Sequence, residues 1–520
     1  MDAAAKFTEA LDLISQNEMD SKSSHLARQR ITLMNNRSAM YEKANLPELA
    51  LEDCNSILEK EEEHDKARKR KLRTLEILHR WDDALVECCA IQLLFMKANR
   101  HNLSMGIPMP APPIPQSKIE DLIKELLPAE VEKYVRRLKE QKKRPLPSLF
   151  TIYQLLRTYS GYNAWMAKAA KDGSATRLTA SLVEATDTAT TAQRATMLMK
   201  RGRRYVYDKE YAKASADFEE AFALVGPNED VQQAMEEDSY ARLLEWTGMV
   251  RHWHYDLDSA LTCYQECAEI EPTNPSLLVK QAGVQMDAGK HDEAMKLFDT
   301  ALGLDSTAVD ALFHRSNLKM LKGQPEDARK DLERILELRP NYVMARLRLA
   351  SILAAMDDVA GAKRHLDMAE QEEPNSGEIM SYRGELAFIQ GQVSEAKEWF
   401  DKAIELEPTN PTPYVNAAMA ILNSQPEPGK MPDITAAIDL LEKAIETDPQ
   451  FTAAYMQLGQ LVLGTATDLK TAGTVIKLYD RALENCRTEE EIKELVSMRL
   501  LAVGQVEAAT QLKMEMFKMG

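Results

Sequence analysis

The clearest pattern along the chain is a helical face of small and bulky apolar residues that returns at a constant interval. Each copy begins with an alanine, has a bulky residue four positions later, and has a small or apolar residue seven positions later. The five triplets are Ala260-Tyr264-Cys267, Ala294-Phe298-Ala301, Ala328-Leu332-Ile335, Ala362-Leu366-Ala369 and Ala396-Phe400-Ala403. Because positions i, i+4 and i+7 share one face of a helix, each triplet predicts a helix that buries this face.

Twelve residues after four of these alanines stands a proline, which is unable to continue a helix and therefore predicts a turn into the next copy. These prolines are Pro272, Pro340, Pro374 and Pro408, and Ser306 occupies the place in the remaining copy. The 34-residue period with Ala-x3-Phe-x2-Ala-x4-Pro in the second helix is the tetratricopeptide pattern. A generic helical bundle does not require this period. The sequence therefore predicts an all-α, superhelical solenoid of stacked helix pairs.

The same register extends in both directions and predicts a short N-terminal array and a longer C-terminal array of repeats. About eight copies span residues 195–489, and two further copies, opened by Ala50 and Ala84, span about residues 31–98. Ala3-Phe7-Ala10 fits the second helix of one more repeat, so the chain is expected to begin half a repeat in. The predicted domains are an N-terminal tetratricopeptide domain at 1–98, a proline-containing and helical linker at 99–194, a C-terminal core at 195–489 and a capping helix at 490–520.

Two stretches outside the arrays carry local signals. Residues 106–115 are proline-rich and predict an extended segment, and a helical run from about Ser117 to Lys143 follows and is broken at residues 144–148. At the other end, Thr488 and Glu491 form a capping-box pattern that precedes apolar residues at helical spacing. This pattern predicts a terminal helix that seals the end of the stack.

Composition and charge narrow the class of protein. The 520 residues are 44% hydrophobic and 28% charged, which is ordinary for a globular chain and excludes disorder and collagen. The chain has no run of about 18 apolar residues and no secretory signal, so as written it is expected neither to span a membrane nor to enter the secretory pathway. Six sparse cysteines predict reduced thiols without a structural disulfide. The net charge of −17 disfavours nucleic acid as a partner.

The usual signatures of catalysis and cofactor binding are absent from the sequence. It contains no Walker loop, dinucleotide glycine fingerprint, zinc-protease motif or nucleophile elbow, so we expect neither an enzyme nor a cofactor. His252 and His254, together with Cys263 and Cys267, suggest metal ligands. Their spacing matches no zinc pattern, and Cys267 fills a packing position of its repeat. We therefore expect no metal site there.

One local feature stands out chemically, a run of six basic residues within Lys66–Arg73 on an otherwise acidic chain. It lies in the first helix of a repeat, the helix type that lines the concave surface of such a solenoid. Lys66, Arg70 and Arg73 share one face of this helix, and Asn36 occupies the matching helix one repeat earlier. Cations and an amide that converge in a groove suit an acidic peptide with a free terminal carboxylate. A merely solvated basic face is the alternative.

Asn36, Lys66 and Arg70 resemble, in type and spacing, three of the five positions of the dicarboxylate clamp of chaperone-binding tetratricopeptide proteins. The resemblance implies that the partner is the Glu-Glu-Val-Asp tail of the seventy- and ninety-kilodalton heat-shock chaperones. The other two clamp positions, a lysine and an asparagine on the first helix of the first repeat, are expected in a piece that this chain lacks.

The layout as a whole resembles the family of seventy-kilodalton import receptors of the mitochondrial outer membrane, N-terminally incomplete. The motifs that carry this resemblance are Leu146-Pro147-Ser148-Leu149-Phe150, Tyr159-Ser160-Gly161-Tyr162, Ala436-Ala437-Ile438 and Asp448-Pro449. It implies a receptor on the cytosolic face of that membrane that docks chaperones, binds precursor proteins in its C-terminal repeats, and joins other outer-membrane translocase subunits. The sequence does not identify the precursor-binding residues. The family also carries an N-terminal membrane anchor, which this sequence does not contain.

Two other functions remain open. A soluble tetratricopeptide co-chaperone or scaffold without a membrane role is the first, although a second chaperone tail would need a second basic triplet, which the C-terminal repeats do not show. The helical regulatory part of an enzyme, such as a glycosyltransferase, is the second. No residues are left over for a catalytic domain, so the activity would have to come from a partner chain.

Overall fold

The computed structural model describes residues 2–18, 24–100, 102, 107–140, 144–172, 189–235, 237–424 and 432–514. These residues form 26 helices and no strand, which confirms the predicted all-α class. The contacts divide the chain into unit 1, which comprises residues 1–140 and 452–520, and unit 2, which comprises residues 141–451. The domain boundaries expected at residues 98, 194 and 489 stay a prediction, whereas these contacts cut the chain after residues 140 and 451.

The helices follow one another in antiparallel pairs joined by short turns. The first six, in unit 1, are α1 (Asp2–Glu18), α2 (Ser24–Lys43), α3 (Pro47–Leu58), α4 (Asp65–Ile77), α5 (Trp81–Ala98) and α6 (Ser117–Glu140). Unit 2 contains α7 (Leu149–Arg157), α8 (Ser160–Asp172), α9 (Thr191–Tyr207), α10 (Tyr211–Val225), α11 (Glu229–Ala234), α12 (Glu237–Trp253), α13 (Leu257–Ile270), α14 (Pro275–Asp287), α15 (His291–Leu304), α16 (Val309–Leu321), α17 (Pro325–Leu338), α18 (Val343–Ala355), α19 (Val359–Glu372), α20 (Gly377–Ile389), α21 (Val393–Leu406), α22 (Thr412–Asn423) and α23 (Ile434–Thr447). Unit 1 is completed by α24 (Thr452–Thr465), α25 (Leu469–Asn485) and α26 (Glu489–Gln511).

The helix predicted from Ser117 is α6, and it begins at that residue. Its predicted end at Lys143 and the start of the proline-rich stretch at Gly106 lie outside the described residues. No helix in the described ranges is long and apolar enough to cross a membrane.

A small residue on the first helix of a pair lies against a bulky residue 16 positions later on the second helix. Gly202 lies against Phe218, and Gly248 lies against Tyr264. A Cβ atom at Gly248 would be 2.7 Å from the Tyr264 ring, so the two helices approach this closely only because the residue is glycine. Phe218 and Tyr264 are fully buried, and the members of the five predicted triplets are buried as well. The predicted repeat register is therefore confirmed.

Ion pairs with the same 16-residue spacing also join the helices of a pair. In each one an arginine of the first helix binds an aspartate of the second through two hydrogen bonds of 2.6–2.9 Å. The pairs are Arg37–Asp53, Arg201–Asp217 and Arg315–Asp331. The aspartate side chains are almost completely buried. Because these paired bonds satisfy buried carboxylates, they fix the angle between the two helices.

In most pairs the turn is made by a residue with left-handed backbone conformation, which is a common way to end a helix. In the C-terminal array these residues recur every 34 positions, at Tyr255, Gly289, Gly323, Asp357 and Gly391, with φ between 60° and 74°. The turns therefore keep the same period as the packing positions.

The last helix, α26, packs on helices from the start of the chain. It begins with the predicted capping box, in which Thr488 Oγ1 accepts a bond from the Glu491 amide at 3.2 Å and Glu491 Oε2 accepts one from the Thr488 amide at 3.1 Å. Its partners in unit 1 are α5, α6, α24 and α25. Gly504 permits the contact, because a Cβ atom there would lie 3.1 Å from Leu85 Cγ and 3.2 Å from Cys89 Sγ.

We expect Gly248→Ala to destabilise the protein, because the added methyl group overpacks the contact with Tyr264, which typically costs about 1–3 kcal/mol. Gly303→Ala is the matched control, since its methyl group meets no atom within 4 Å. The control should be neutral or stabilising by up to about 1 kcal/mol. Urea and thermal unfolding followed by circular dichroism measure both effects, and equal midpoints for the two variants would contradict the close packing described here.

Candidate functional site

Arg70 is the most buried member of the basic face predicted on α4. This helix begins at Asp65, after the N-cap His64, and packs beside α2. The Nη1 atom of Arg70 donates to the Asn35 carbonyl oxygen at 3.1 Å, to Asn35 Oδ1 at 2.8 Å and to Ser38 Oγ at 2.8 Å. Arg70 therefore ties α4 to α2, and the sequence-based reasoning missed both of these acceptor residues.

Glu42 on α2 binds two of the predicted cations at once. Arg73 Nε donates to Glu42 Oε1 at 2.7 Å, and Arg70 Nε donates to Glu42 Oε2 at 3.1 Å. The hydrogen bonds from Arg73, with further help from Arg70, lower the pKa of Glu42, so its side chain is a carboxylate at neutral pH. The sequence contains a signal for these ion pairs, because Glu42 lies on the matching first helix, about one repeat before the two arginines.

Lys66 and Asn36 are exposed, and neither forms a hydrogen bond or an ion pair within the part of the chain that the structure describes. The structure thus separates the predicted residues into two groups. Arg70 and Arg73 are already engaged by Glu42, whereas the Lys66 ammonium and the Asn36 amide face solvent. Their role in binding an acidic peptide stays a prediction.

The other bases of the run have structural partners. Arg68 Nη1 donates to Glu87 Oε1 at 2.7 Å, and Lys71 Nζ lies 3.1 Å from Glu87 Oε2. Glu87 is almost completely buried, so these two cations compensate a carboxylate inside unit 1. Lys69 pairs with Asp65 one turn earlier on the same helix. The basic run therefore divides into a buried structural part and the exposed face that contains Lys66.

Two positions on the first helices recur through unit 2 and line its cavities. They lie one helical turn apart and keep the same register in the five repeats opened by Ala260, Ala294, Ala328, Ala362 and Ala396, and we call them groove positions 1 and 2. Position 1 is occupied by Arg242, Ser276, Asp310, Met344 and Glu378, and position 2 by Trp246, Lys280, His314, Arg348 and Tyr382. In the repeat opened by Ala84 the same positions are Lys66 and Arg70, and in the repeat opened by Ala50 position 2 is Asn36. Lys66, Arg70 and Asn36 therefore occupy repeat positions that line cavities in unit 2.

In unit 2 the groove positions contact residues 144–172, here called the groove segment, which contains α7 and α8. The backbone amide and hydroxyl of Ser160 donate to the Asp310 carboxylate at 3.0 Å, and Arg157 Nη1 donates to Glu378 Oε2 at 3.1 Å. The ring of Tyr159 lies 5.1 Å from that of His314. A segment predicted only as a linker is thus held along the groove positions of unit 2.

The first cavity beside the groove segment has a volume of about 320 Å³ and combines aromatic rings with cations. Trp246 and Lys280 line it from the groove positions, and Trp165 lines it from the groove segment. Lys280 Nζ is 2.9 Å from Glu245 Oε1, and Arg242 pairs with the same carboxylate. Burial opposes ionisation of Glu245, yet these two cations lower its pKa. This cavity suits an apolar or aromatic side chain with an anionic or hydrogen-bonding group beside it.

The second cavity has a volume of about 350 Å³, and carboxyl groups outnumber cations among the residues that line it. Glu378 and Glu385 lie in its wall, and burial raises the pKa of both carboxyl groups. Glu385 accepts a bond from Asn416 at 3.2 Å. Arg348 is exposed in the same cavity, beside Tyr382. Unit 2 therefore offers two differently charged cavities along one line of groove positions.

The histidines and cysteines considered as metal ligands have other partners. His252 Nε2 is 2.8 Å from Asp287, and His254 is 2.7 Å from the Arg144 carbonyl oxygen through Nδ1 and 3.0 Å from Ser215 through Nε2. Burial raises the pKa of Cys263 to about 11, so the thiol is protonated at neutral pH. Within the described ranges, no group of three or more His, Cys, Asp or Glu residues is arranged to hold a metal ion.

Comparisons with known proteins agree with the repeat assignment. Models of the tetratricopeptide repeat match residues 319–386 and 377–410, and a model of the coatomer epsilon subunit matches residues 246–348. The crystal structure of yeast Tom70 aligns with 98% of this chain and 96% of its own, with a TM-score of 0.52 and 20% identity. This likeness confirms the predicted tetratricopeptide solenoid.

Similar sequences include the mitochondrial import receptor subunit TOM70 of Homo sapiens, 24% identical over 261 residues, which are 49% of this chain and 41% of the receptor. The subunit of the same name from Saccharomyces cerevisiae is 24% identical over 289 residues, 55% of this chain and 45% of that protein. The Hsp70-Hsp90 organizing protein 2 of Arabidopsis thaliana is 24% identical over 243 residues, 46% and 40% of the two chains. The resemblance to the import receptors is confirmed, although the aligned part spans less than half of these relatives.

We expect Arg70→Ala to lower the free energy of unfolding by about 1–3 kcal/mol. The substitution removes the guanidinium group that donates to the buried Ser38 hydroxyl and to the Asn35 side chain. Lys66→Ala, on the same helix face, should change it by less than about 0.5 kcal/mol, since Lys66 is exposed and has no partner among the described residues. Urea unfolding of the two variants tests this difference. A stable Arg70→Ala protein would mean that these hydrogen bonds contribute little.

Proposed function

We propose that the protein is a receptor in mitochondrial protein import, without catalytic turnover, that binds polypeptide on two surfaces. Unit 1 binds the carboxylate-terminated acidic tails of the seventy- and ninety-kilodalton heat-shock chaperones. Unit 2 binds precursor proteins at its groove positions. The observation that carries the proposal is that Lys66, Arg70 and Asn36 occupy the repeat positions which, in unit 2, face a polypeptide segment.

The arrangement around Glu42 supports carboxylate binding by unit 1. Arg70 and Arg73 both donate to this one carboxylate, so their guanidinium groups are already oriented to hold an anion. Lys66 adds an exposed ammonium on the same helix face. A peptide carboxylate bound by Lys66 gains a charge-assisted bond, and it competes with Glu42 for Arg73.

The two cavities of unit 2 support binding of a longer polypeptide. They lie along the same series of groove positions and offer rings and cations at one end and carboxylates at the other. We infer that Trp246, Lys280, Arg348 and Tyr382 contact precursor side chains. A polypeptide of mixed character fits this line better than a small molecule, since each cavity is open and lined by polar and apolar groups together.

The location and further partners follow from the likeness to receptor subunits named for mitochondrial import. We propose that the protein works on the cytosolic face of the mitochondrial outer membrane, together with other subunits of the outer-membrane translocase. The net charge of −17 argues against a nucleic-acid partner. A receptor function requires neither cofactor nor catalytic residue.

A co-chaperone scaffold is the second candidate, and the similarity to an Hsp70-Hsp90 organizing protein favours it. Such a scaffold needs two clamps to bind two chaperone tails. In the five repeats of unit 2 opened by Ala260 to Ala396, the pairs at groove positions 1 and 2 are Arg242 and Trp246, Ser276 and Lys280, Asp310 and His314, Met344 and Arg348, and Glu378 and Tyr382. None of these pairs has cations at both positions, as Lys66 and Arg70 do. The receptor is therefore the better supported proposal.

We expect an acetylated peptide ending in Glu-Glu-Val-Asp to bind the full chain, and Lys66→Ala to weaken binding at least about tenfold, because it removes a charge-assisted bond worth about 1.5–3 kcal/mol. Lys124→Ala is the control, since it removes one exposed cation of unit 1 whose partner is Asp121 on the same helix. Titration by fluorescence anisotropy at two salt concentrations measures the affinities.

The same peptide with an amidated C-terminus should bind much more weakly, and salt should weaken the binding of the free acid. Glu42→Gln should strengthen binding, because it releases Arg73 for the peptide. Equal affinity of the acid and the amide, or of the protein with and without Lys66, would remove the clamp from the proposal.

A further inference from the structure

Groove position 1 binds the groove segment at two places in unit 2. Asp310 and Glu378 both occupy groove position 1, in repeats two apart. Asp310 accepts three hydrogen bonds of 3.0 Å from the backbone amide and hydroxyl of Ser160, and Glu378 accepts one of 3.1 Å from Arg157. Two carboxylates spaced along the array thus hold two residues that are three positions apart in the segment.

The apolar side chains of the segment are buried, as those of a bound peptide ligand are. Ile152 and Leu156 are each 1% exposed, and Tyr159 packs beside His314. The helix that carries Ile152 and Leu156, α7, has only nine residues. Helices shorter than about 12 residues are marginal in water on their own, so α7 depends on the groove for its conformation.

The carboxylates of this docking site are incompletely compensated. Burial raises the pKa of the Asp310 and Glu378 carboxyl groups despite their bonds to the segment. Asp310 is held by an amide and a hydroxyl group, and no ion pair to it is formed within the described part of the chain. A polypeptide that brings a cation to Asp310 therefore adds an ion pair, which the uncharged amide and hydroxyl groups of Ser160 do not supply.

Both cavities have one wall made by the segment. Leu156, Tyr159 and Tyr162 line the first, and Phe150 and Leu155 line the second. The contacts of Gly202 with Phe218 and of Gly248 with Tyr264 inside the helix pairs do not involve the segment. If the segment dissociates, the two cavities therefore become continuous with the space that it occupied. The contacts inside the helix pairs remain in place.

We propose that residues 148–160 are a resident ligand of the unit 2 groove, and that a polypeptide bound by unit 2 displaces them from Asp310 and Glu378. This inference rests on the proposed function, in which the same groove binds precursor polypeptide. The competing polypeptide presents an apolar helical face and at least one cation to these carboxylates.

The test uses the full chain and a fluorescein-labelled peptide with the sequence of residues 145–165 as the probe. In the release variant, Arg157→Glu with Ser160→Ala, repulsion from Glu378 and loss of the hydroxyl group weaken docking of the resident segment. We expect this variant to bind the probe at least tenfold more tightly than the parent. Arg329→Glu is the matched control, because it reverses an exposed charge of unit 2 that pairs with Glu333 on its own helix, and it should behave as the parent does.

A second measurement avoids dependence on a variant that fails to fold. Hydrogen exchange of the parent is followed with and without a saturating amount of the probe, made with ¹⁵N so that its fragments differ in mass. Amides of residues 149–157 in the protein should exchange faster when the probe is present, whereas those of α13 and α15 should not change.

The outcomes separate the inference from the proposed function. Equal probe affinity for parent and release variant, or unchanged exchange at residues 149–157, would overturn the resident-ligand inference. If a mitochondrial precursor binds the parent and the release variant equally, the receptor proposal stands and the inference fails. If the release variant binds the probe but no precursor, the inference stands and the proposed precursor binding fails.

Discussion

The close packing of a small residue on the first helix of a pair against a bulky, buried residue on the second is the constraint on which the rest of the structure depends. It brings the first helix of a pair near enough to the second to bury the apolar triplet, as Gly248 does beneath Tyr264. Because one face of the first helix is used in this way, another face is left to point away from the second helix. Repetition of the pair at a constant period aligns these remaining faces, and the groove positions follow from this alignment.

The features predicted from the sequence are those that depend on short separations along the chain. The apolar triplets, the capping box at Thr488 and the start of α6 at Ser117 all report a local helical face or a local break. The contacts of α26 with α5 and α6 were not predicted, since a helical pattern says which face is apolar but not which distant surface covers it. The docking of α7 in unit 2 was missed for the same reason.

In the candidate clamp, too, the features set by short separations along the chain were predicted and the contacts between helices were not. That Lys66, Arg70 and Arg73 share a face followed from their spacing, whereas the capture of two of them by Glu42 depends on how α2 and α4 lie against each other. The charge run itself gave no sign that Arg68 and Lys71 neutralise Glu87 inside unit 1. A count of basic residues therefore overstates the cationic surface that a partner meets, and the exposed face is smaller and more selective.

The packing of α26 on α5 and α6 has a consequence for the order in which the protein is made. The ribosome releases α5 long before α26, with residues 99–488 between them, and at about 5–20 residues per second this interval lasts roughly 20–80 s. During that time, Leu85 and Cys89 on α5 do not yet pack against Gly504 and its neighbours on α26. Helix α5 therefore leaves the ribosome well before it reaches its final environment, and a fragment that stops before residue 489 leaves the same apolar surface open.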